Sequence, residues 1–156
     1  MLTERNCHYG SIKPLAHGDL NVSHFTRMKT KLTDGDLVAE CLDELGYSYT
    51  RGKVTINGYF GNTANAEFRI GTANSSYDIG LVRSNKHYEI VADWYGISSP
   101  GEYEFRDQLN ATYAAAATKR ALAQTTESLR QQRFQVAREV KEPDGSVRLV
   151  LRRTVG

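Results

Sequence analysis

Long apolar runs are missing from this chain. Every hydrophobic stretch is broken by a charge or a turn residue within about ten positions, where a membrane-spanning helix needs roughly 20. The opening MLTERNCHYG places Glu4 and Arg5 where a secretory leader carries an apolar core, so export is not expected. Cysteine is scarce as well, with Cys7 in an irregular N-terminal stretch and Cys41 on the apolar face of an expected helix. That excludes a disulfide framework, and a buried free thiol fits a reducing, cytoplasmic setting. The chain also lacks a Gly-rich phosphate loop, a GxSxG elbow, an HExxH pair and a CxxC pair. Its four histidines, His8, His17, His24 and His87, have no metal-ligand spacing, and Cys7, His8 and His17 make too weak a set for zinc. No metal and no cofactor are expected.

What remains is an ordinary globular composition, 40% hydrophobic and 24% charged over 156 residues, suited to one domain that needs no staple. The net charge of +2 is unevenly spread. The first hundred residues hold 10 Lys and Arg against 11 Asp and Glu, and the rest hold 10 against 7. This basic bias is milder than a dedicated nucleic-acid binder usually carries.

Residues 1–21 show neither helical nor strand periodicity and read as a flexible tail, with 22–156 as a single domain. Residues 24–30 suit a strand. Thr33 followed by Asp36 reads as a capping box, after which Leu37, Val38, Cys41, Leu42 and Leu45 fall at helical spacing and Gly46 ends the helix. From Tyr47 to Trp94 the period switches to two. Runs 47–50 and 53–57 flank Arg51-Gly52, and Asn57-Gly58 offers a turn in which both residues tolerate positive φ. Ala64, Ala66, Phe68 and Ile70, then Tyr77, Ile79 and Leu81, then Tyr88, Ile90, Ala92 and Trp94 complete an antiparallel meander. Ser99-Pro100-Gly101 stops it. Residues 102–129 read as a long helix whose inner face of Phe105, Leu109, Tyr113, Ala116 and Ala117 covers the sheet. A hairpin around Pro143-Asp144-Gly145 closes the chain, so the fold class is α+β.

Tyrosine is the conspicuous surplus, 9 against 5 Phe and 1 Trp. Tyr47, Tyr49, Tyr59, Phe60 and Tyr88 lie on or beside strands, with Lys53, Arg69, Arg83 and Lys86 near them. Such rings can stack single-stranded nucleic acid. Packing under the helices is the commoner fate, because a Tyr ring adds apolar area and only its hydroxyl needs a polar partner.

Several motifs in order resemble one family: Ser23-His24-Phe25, Lys29-Thr30-Lys31-Leu32-Thr33, Leu45-Gly46-Tyr47, Gly58-Tyr59, Tyr77-Asp78-Ile79-Gly80, Val91-Ala92-Asp93, Tyr113-Ala114, Asp144-Gly145-Ser146 and Arg148-Leu149. Over residues 22–153 the chain resembles the hypothetical chloroplast reading frame 35 proteins of plastids and cyanobacteria, a domain with no settled function. The resemblance implies an α+β domain, allows a plastid stroma as the setting, and brings no active site with it. It places His24, Lys29, Lys31, Tyr77, Asp78 and Asp93 inside the motifs. With Tyr59 from the aromatic strands and Arg148 and Arg152 from the basic hairpin, these are the candidate interaction residues, and none is assigned a catalytic role. Members of that family begin Met-Ser-His-Phe, and here Val22 stands in the place of that Met. Residues 1–21 are therefore expected to be exposed and removable at little cost in stability.

The function expected is a non-enzymatic interaction or assembly-accessory protein with another protein as partner and no membrane. The alternative is a single-stranded nucleic-acid-binding module built from the strand aromatics and the C-terminal hairpin. An enzyme ranks third and would use His24 with Asp93, which meet if the first strand pairs with the last strand of the meander.

Overall fold

The structure is a computed structural model that describes residues 25–73 and 75–154. His24 and the 1–21 segment, with the expectations attached to them, lie outside the described residues. The elements run β1 (Thr26–Lys29), α1 (Gly35–Glu44), β2 (Tyr49–Asn57), β3 (Thr63–Gly71), β4 (Asp78–Ser84), β5 (His87–Ala92), α2 (Glu102–Gln131), β6 (Phe134–Lys141) and β7 (Val147–Arg153). Strands β2 to β5 form the expected meander, β1 adds beside β5, and the five-stranded order is β1-β5-β4-β3-β2, all antiparallel. β6 and β7 make a separate two-stranded hairpin.

Helix α1 begins one residue later than the capping-box reading places it. Asp34 is the cap, its carboxylate accepting from the amides of Asp36 at 2.9 Å and Leu37 at 3.2 Å. A carboxylate at this position serves two orphan amides. Thr33 is left to face the Tyr113 hydroxyl, and Asp36 pairs with Arg51 instead. Gly46 ends the helix as expected, at φ +77.

Residues 49–57 form one strand, not two separate runs flanking Arg51-Gly52. Pairing with β3 continues on both sides of a bulge, from Arg51 opposite Phe68 to Val54 opposite Ala66, and Gly52 takes up the irregularity at φ +140. The Asn57-Gly58 turn is also displaced. Positive φ falls at Phe60 and Gly61, within a 3-10 turn at Tyr59–Gly61. Gly58 is glycine because of crowding, since an added Cβ would lie 2.7 Å from the Phe25 ring.

The alternation of apolar residues accounts for the main core. Phe68, Ile70, Ile79, Leu81, Tyr88, Ile90 and Ala92 pack against Leu37, Val38, Cys41 and Leu42 of α1 and Phe105 and Leu109 of α2. Each of these larger side chains contributes about 1.5–3 kcal/mol by leaving water. Behind the sheet a second cluster joins Ile56, Ala66 and Val91 to Phe25, Val54, Ala64 and Val82. Past the bulge the β2–β3 hairpin bends over this back face, where Ile56 and Ala66 sit on Gly80.

Trp94 leaves the meander. It opens a 3-10 turn, Trp94–Gly96, and its indole packs against Phe105 with ring centroids 6.3 Å apart. Its Nε1 is buried with no hydrogen-bond partner among the described residues. The inner face of α2 packs on the core from Phe105 to Ala117, as expected; further along, Arg120 bonds Asp34 at 2.9 Å and Glu40 at 2.8 Å, and another side of the helix faces the hairpin across a groove lined by Ala114, Ala115, Leu122 and Val147. Helix α1 covers the remainder of the sheet.

Candidate functional site

Four of the nine candidate residues converge at one end of the sheet. Asp93 follows β5 and is 1% exposed, yet its carboxylate is fully engaged in holding backbone. Oδ2 accepts from the Tyr59 amide at 2.9 Å and Oδ1 from the Tyr95 amide at 3.3 Å. Asp78, at the start of β4, accepts through Oδ2 from both the amide and the side chain of Asn57, at 2.9 and 3.0 Å. Two carboxylates thus tie residues 57–59 to β4 and to the end of β5. Charge-assisted bonds to amides are the stronger kind, and here they anchor a loop.

That loop carries rings into solvent. Phe60 is 87% exposed and sits at φ 51, ψ 33, a left-handed conformation that costs a residue with a side chain about 1–3 kcal/mol. Tyr95 is equally exposed. Tyr59 lies between them, edge-on to Phe60 at 4.4 Å and to Tyr95 at 6.2 Å between centroids. Tyr77 supports the group from beneath, its ring against the backbone of Gly96, where an added Cβ would overlap it. Partial burial, and after it the Asp93 carboxylate, raises the Tyr77 phenol above its ordinary pKa.

The other candidates lie elsewhere. Lys29 and Lys31, at the far end of β1, line a groove of about 690 Å³ with Leu32, Tyr113, Ala114 and Ala117. Arg148 pairs with Glu142 at 3.0 Å on the hairpin, and Arg152 stands exposed opposite Gln135. The remaining strand aromatics turn inward. Tyr88 is fully buried, Tyr47 meets Phe105 edge-on at 5.2 Å, and Tyr49 lies 5.7 Å from Phe68.

Sequence reasoning missed two features. Tyr95 belongs to no periodic run, so only the Asp93 cap places it. The second is a polar network over the core: the Tyr88 hydroxyl donates to Glu67 at 2.9 Å and accepts from Arg83 at 2.7 Å, while Arg51 bridges Glu67 and Asp36. Burial, and then the bond to Glu67, raises the Tyr88 phenol. Alternation marks Tyr88 as buried but carries no signal of what satisfies its hydroxyl.

Among the described residues no cluster of His, Cys, Asp or Glu could hold a metal ion, and no helix is long and apolar enough to cross a membrane. No solved structure matches the chain. Similar proteins include the uncharacterized protein ycf35 of Guillardia theta, 29% identical over 133 residues, which covers 85% of this chain and 98% of that relative. The ycf35 proteins of Pyropia yezoensis and Cyanophora paradoxa are each 27% identical, with the same coverage. The profile of the family described as protein of unknown function DUF1257 matches residues 41–150, and the chain belongs to that family.

Proposed function

We propose that this protein is a non-enzymatic interaction or assembly-accessory protein that binds another protein through the aromatic loop at Tyr59, Phe60 and Tyr95. The observation that carries this reading is the exposure of Phe60 and Tyr95, 87% each, on backbone held in place by Asp78 and Asp93. Large rings left in water gain most on being covered, and aromatic side chains dominate binding energy at protein interfaces. Fixing the loop in advance lowers the ordering cost of association. The strained Phe60 backbone supports the same reading, because strain persists where the surrounding structure enforces it.

The test is affinity capture from a native lysate with the unaltered chain and with a Phe60→Ser, Tyr95→Ser double variant, both checked for folding by circular dichroism. A stoichiometric protein recovered by the first and lost by the second is the expected result. Equal recovery by both, or recovery of no protein, overturns it. Recovery of single-stranded nucleic acid by the same rings, with binding that falls steeply as salt rises, replaces it with the stacking alternative.

A further inference from the structure

The outer edge of β1 lies at the opposite end of that strand from the aromatic loop. Among the described residues β1 has a partner on one side only, β5, with Met28 opposite Ile90 and Lys29 opposite Glu89. The Thr30 amide donates to the Tyr88 carbonyl at 3.3 Å, and the Tyr88 amide donates to the Leu32 carbonyl at 2.8 Å. Backbone groups alternate in direction along a strand. Within β1 those of Arg27 and Lys29 therefore face away from the sheet. Alongside this edge runs the groove of about 690 Å³, with Leu32, Ala114 and Ala117 as its apolar lining and Asn110 and Tyr113 beside them. Lys29 and Lys31 line it too, and neither makes a salt bridge among the described residues.

From this edge, groove and pair of unmatched lysines we infer that β1 accepts an extended acidic segment of a partner protein as an added strand. Main-chain bonds to the residue 27 and 29 backbone would hold it, alternate small apolar side chains would enter the groove, and its carboxylates would meet the two ammonium groups. A second copy of this chain suits the edge poorly, because an antiparallel β1 pairing across a two-fold axis would set lysines against lysines. Lysines on an edge strand also serve simply to block sheet-to-sheet association, and the experiment separates the two roles.

A labelled synthetic peptide alternating glutamate and valine is titrated with the full chain and followed by fluorescence anisotropy. The expected result is saturable, salt-sensitive binding that weakens about tenfold in the Lys29→Glu, Lys31→Glu variant. Phe60→Ser should leave it unchanged, which separates this edge from the aromatic loop. Backbone N-methylation of the peptide at alternate residues should abolish binding. Equal binding of a lysine–valine peptide, absence of saturation, or indifference to the lysine substitutions overturns the inference. So does self-association of the variant with peptide binding intact, or nuclear Overhauser contacts between residues 1–21 and the β1 edge in the unliganded chain.

Discussion

At the scale of single residues, the aromatic loop rests on a few side chains whose removal has calculable consequences. Asp93→Ala removes the carboxylate that accepts from the Tyr59 and Tyr95 amides and should lower stability by about 1–3 kcal/mol. Asp93→Asn keeps one carbonyl oxygen and should cost about half as much, a contrast that urea denaturation resolves. Gly96→Ala forces its new methyl group into the Tyr77 ring and should cost about 1–3 kcal/mol. Combined with Tyr77→Ala it should cost less than the sum of the two, and additive effects would show that the ring and the glycine are not coupled. Asp36 tests the electrostatics. Its hydrogen bond to Arg51, and the charge of that guanidinium, hold its carboxyl below the ordinary range. The folded pKa therefore lies under the unfolded one, so the pair stabilises above the ordinary carboxylate range and its contribution fades as pH falls through the folded value. Asp36→Asn should remove that part of the acid sensitivity, visible as a smaller loss of the urea midpoint between neutral pH and about pH 3.

At the scale of elements, the legible parts were those with a strong period. The alternation in residues 63–92 and the helical spacing from Leu37 to Leu45 each led to elements whose apolar face is the core. The errors fell where several local signals compete. Thr33 and Asp34 are both good caps, and their long-range partners separate them: Tyr113 takes the Thr33 hydroxyl, Arg120 meets Asp34 and Arg51 draws off Asp36. Arg51-Gly52 interrupts the alternation, yet the pairing with β3 across the bulge is a long-range fact that no local pattern encodes. The candidate site was legible in part for the same reason. Motif residues point to Tyr77, Asp78 and Asp93 and the strand aromatics to Tyr59, but neither signal says that both carboxylates anchor one loop. The C-terminal hairpin was read correctly, and its isolation has a measurable result. A two-stranded sheet gains little stability alone and here leans on a helix half that buries no residue fully. Amides of β6 and β7 should exchange with deuterium well before those of β4 and β5, and simultaneous exchange would show the hairpin to be part of the main cooperative unit.

At the scale of the whole molecule, the sheet has two dissimilar ends. One gathers Tyr59, Phe60, Tyr77 and Tyr95 over two anchored carboxylates, and the other exposes a strand edge beside Lys29 and Lys31. The basic hairpin residues Arg148 and Arg152 sit on a separate sheet from the one whose end carries these rings. The seating of α2 on the sheet brings a practical gift as well. Trp94 is the one tryptophan among 156 residues, and its indole rests against Phe105 at the start of that helix. The protein thus carries a built-in optical probe at the joint between its layers, one that the eight tyrosines among the described residues can feed by energy transfer. Its fluorescence colour records whether α2 is seated. A red shift that precedes the loss of far-ultraviolet dichroism during unfolding would mean that the helix lifts away first, and coincident curves would mean that helix and sheet part together.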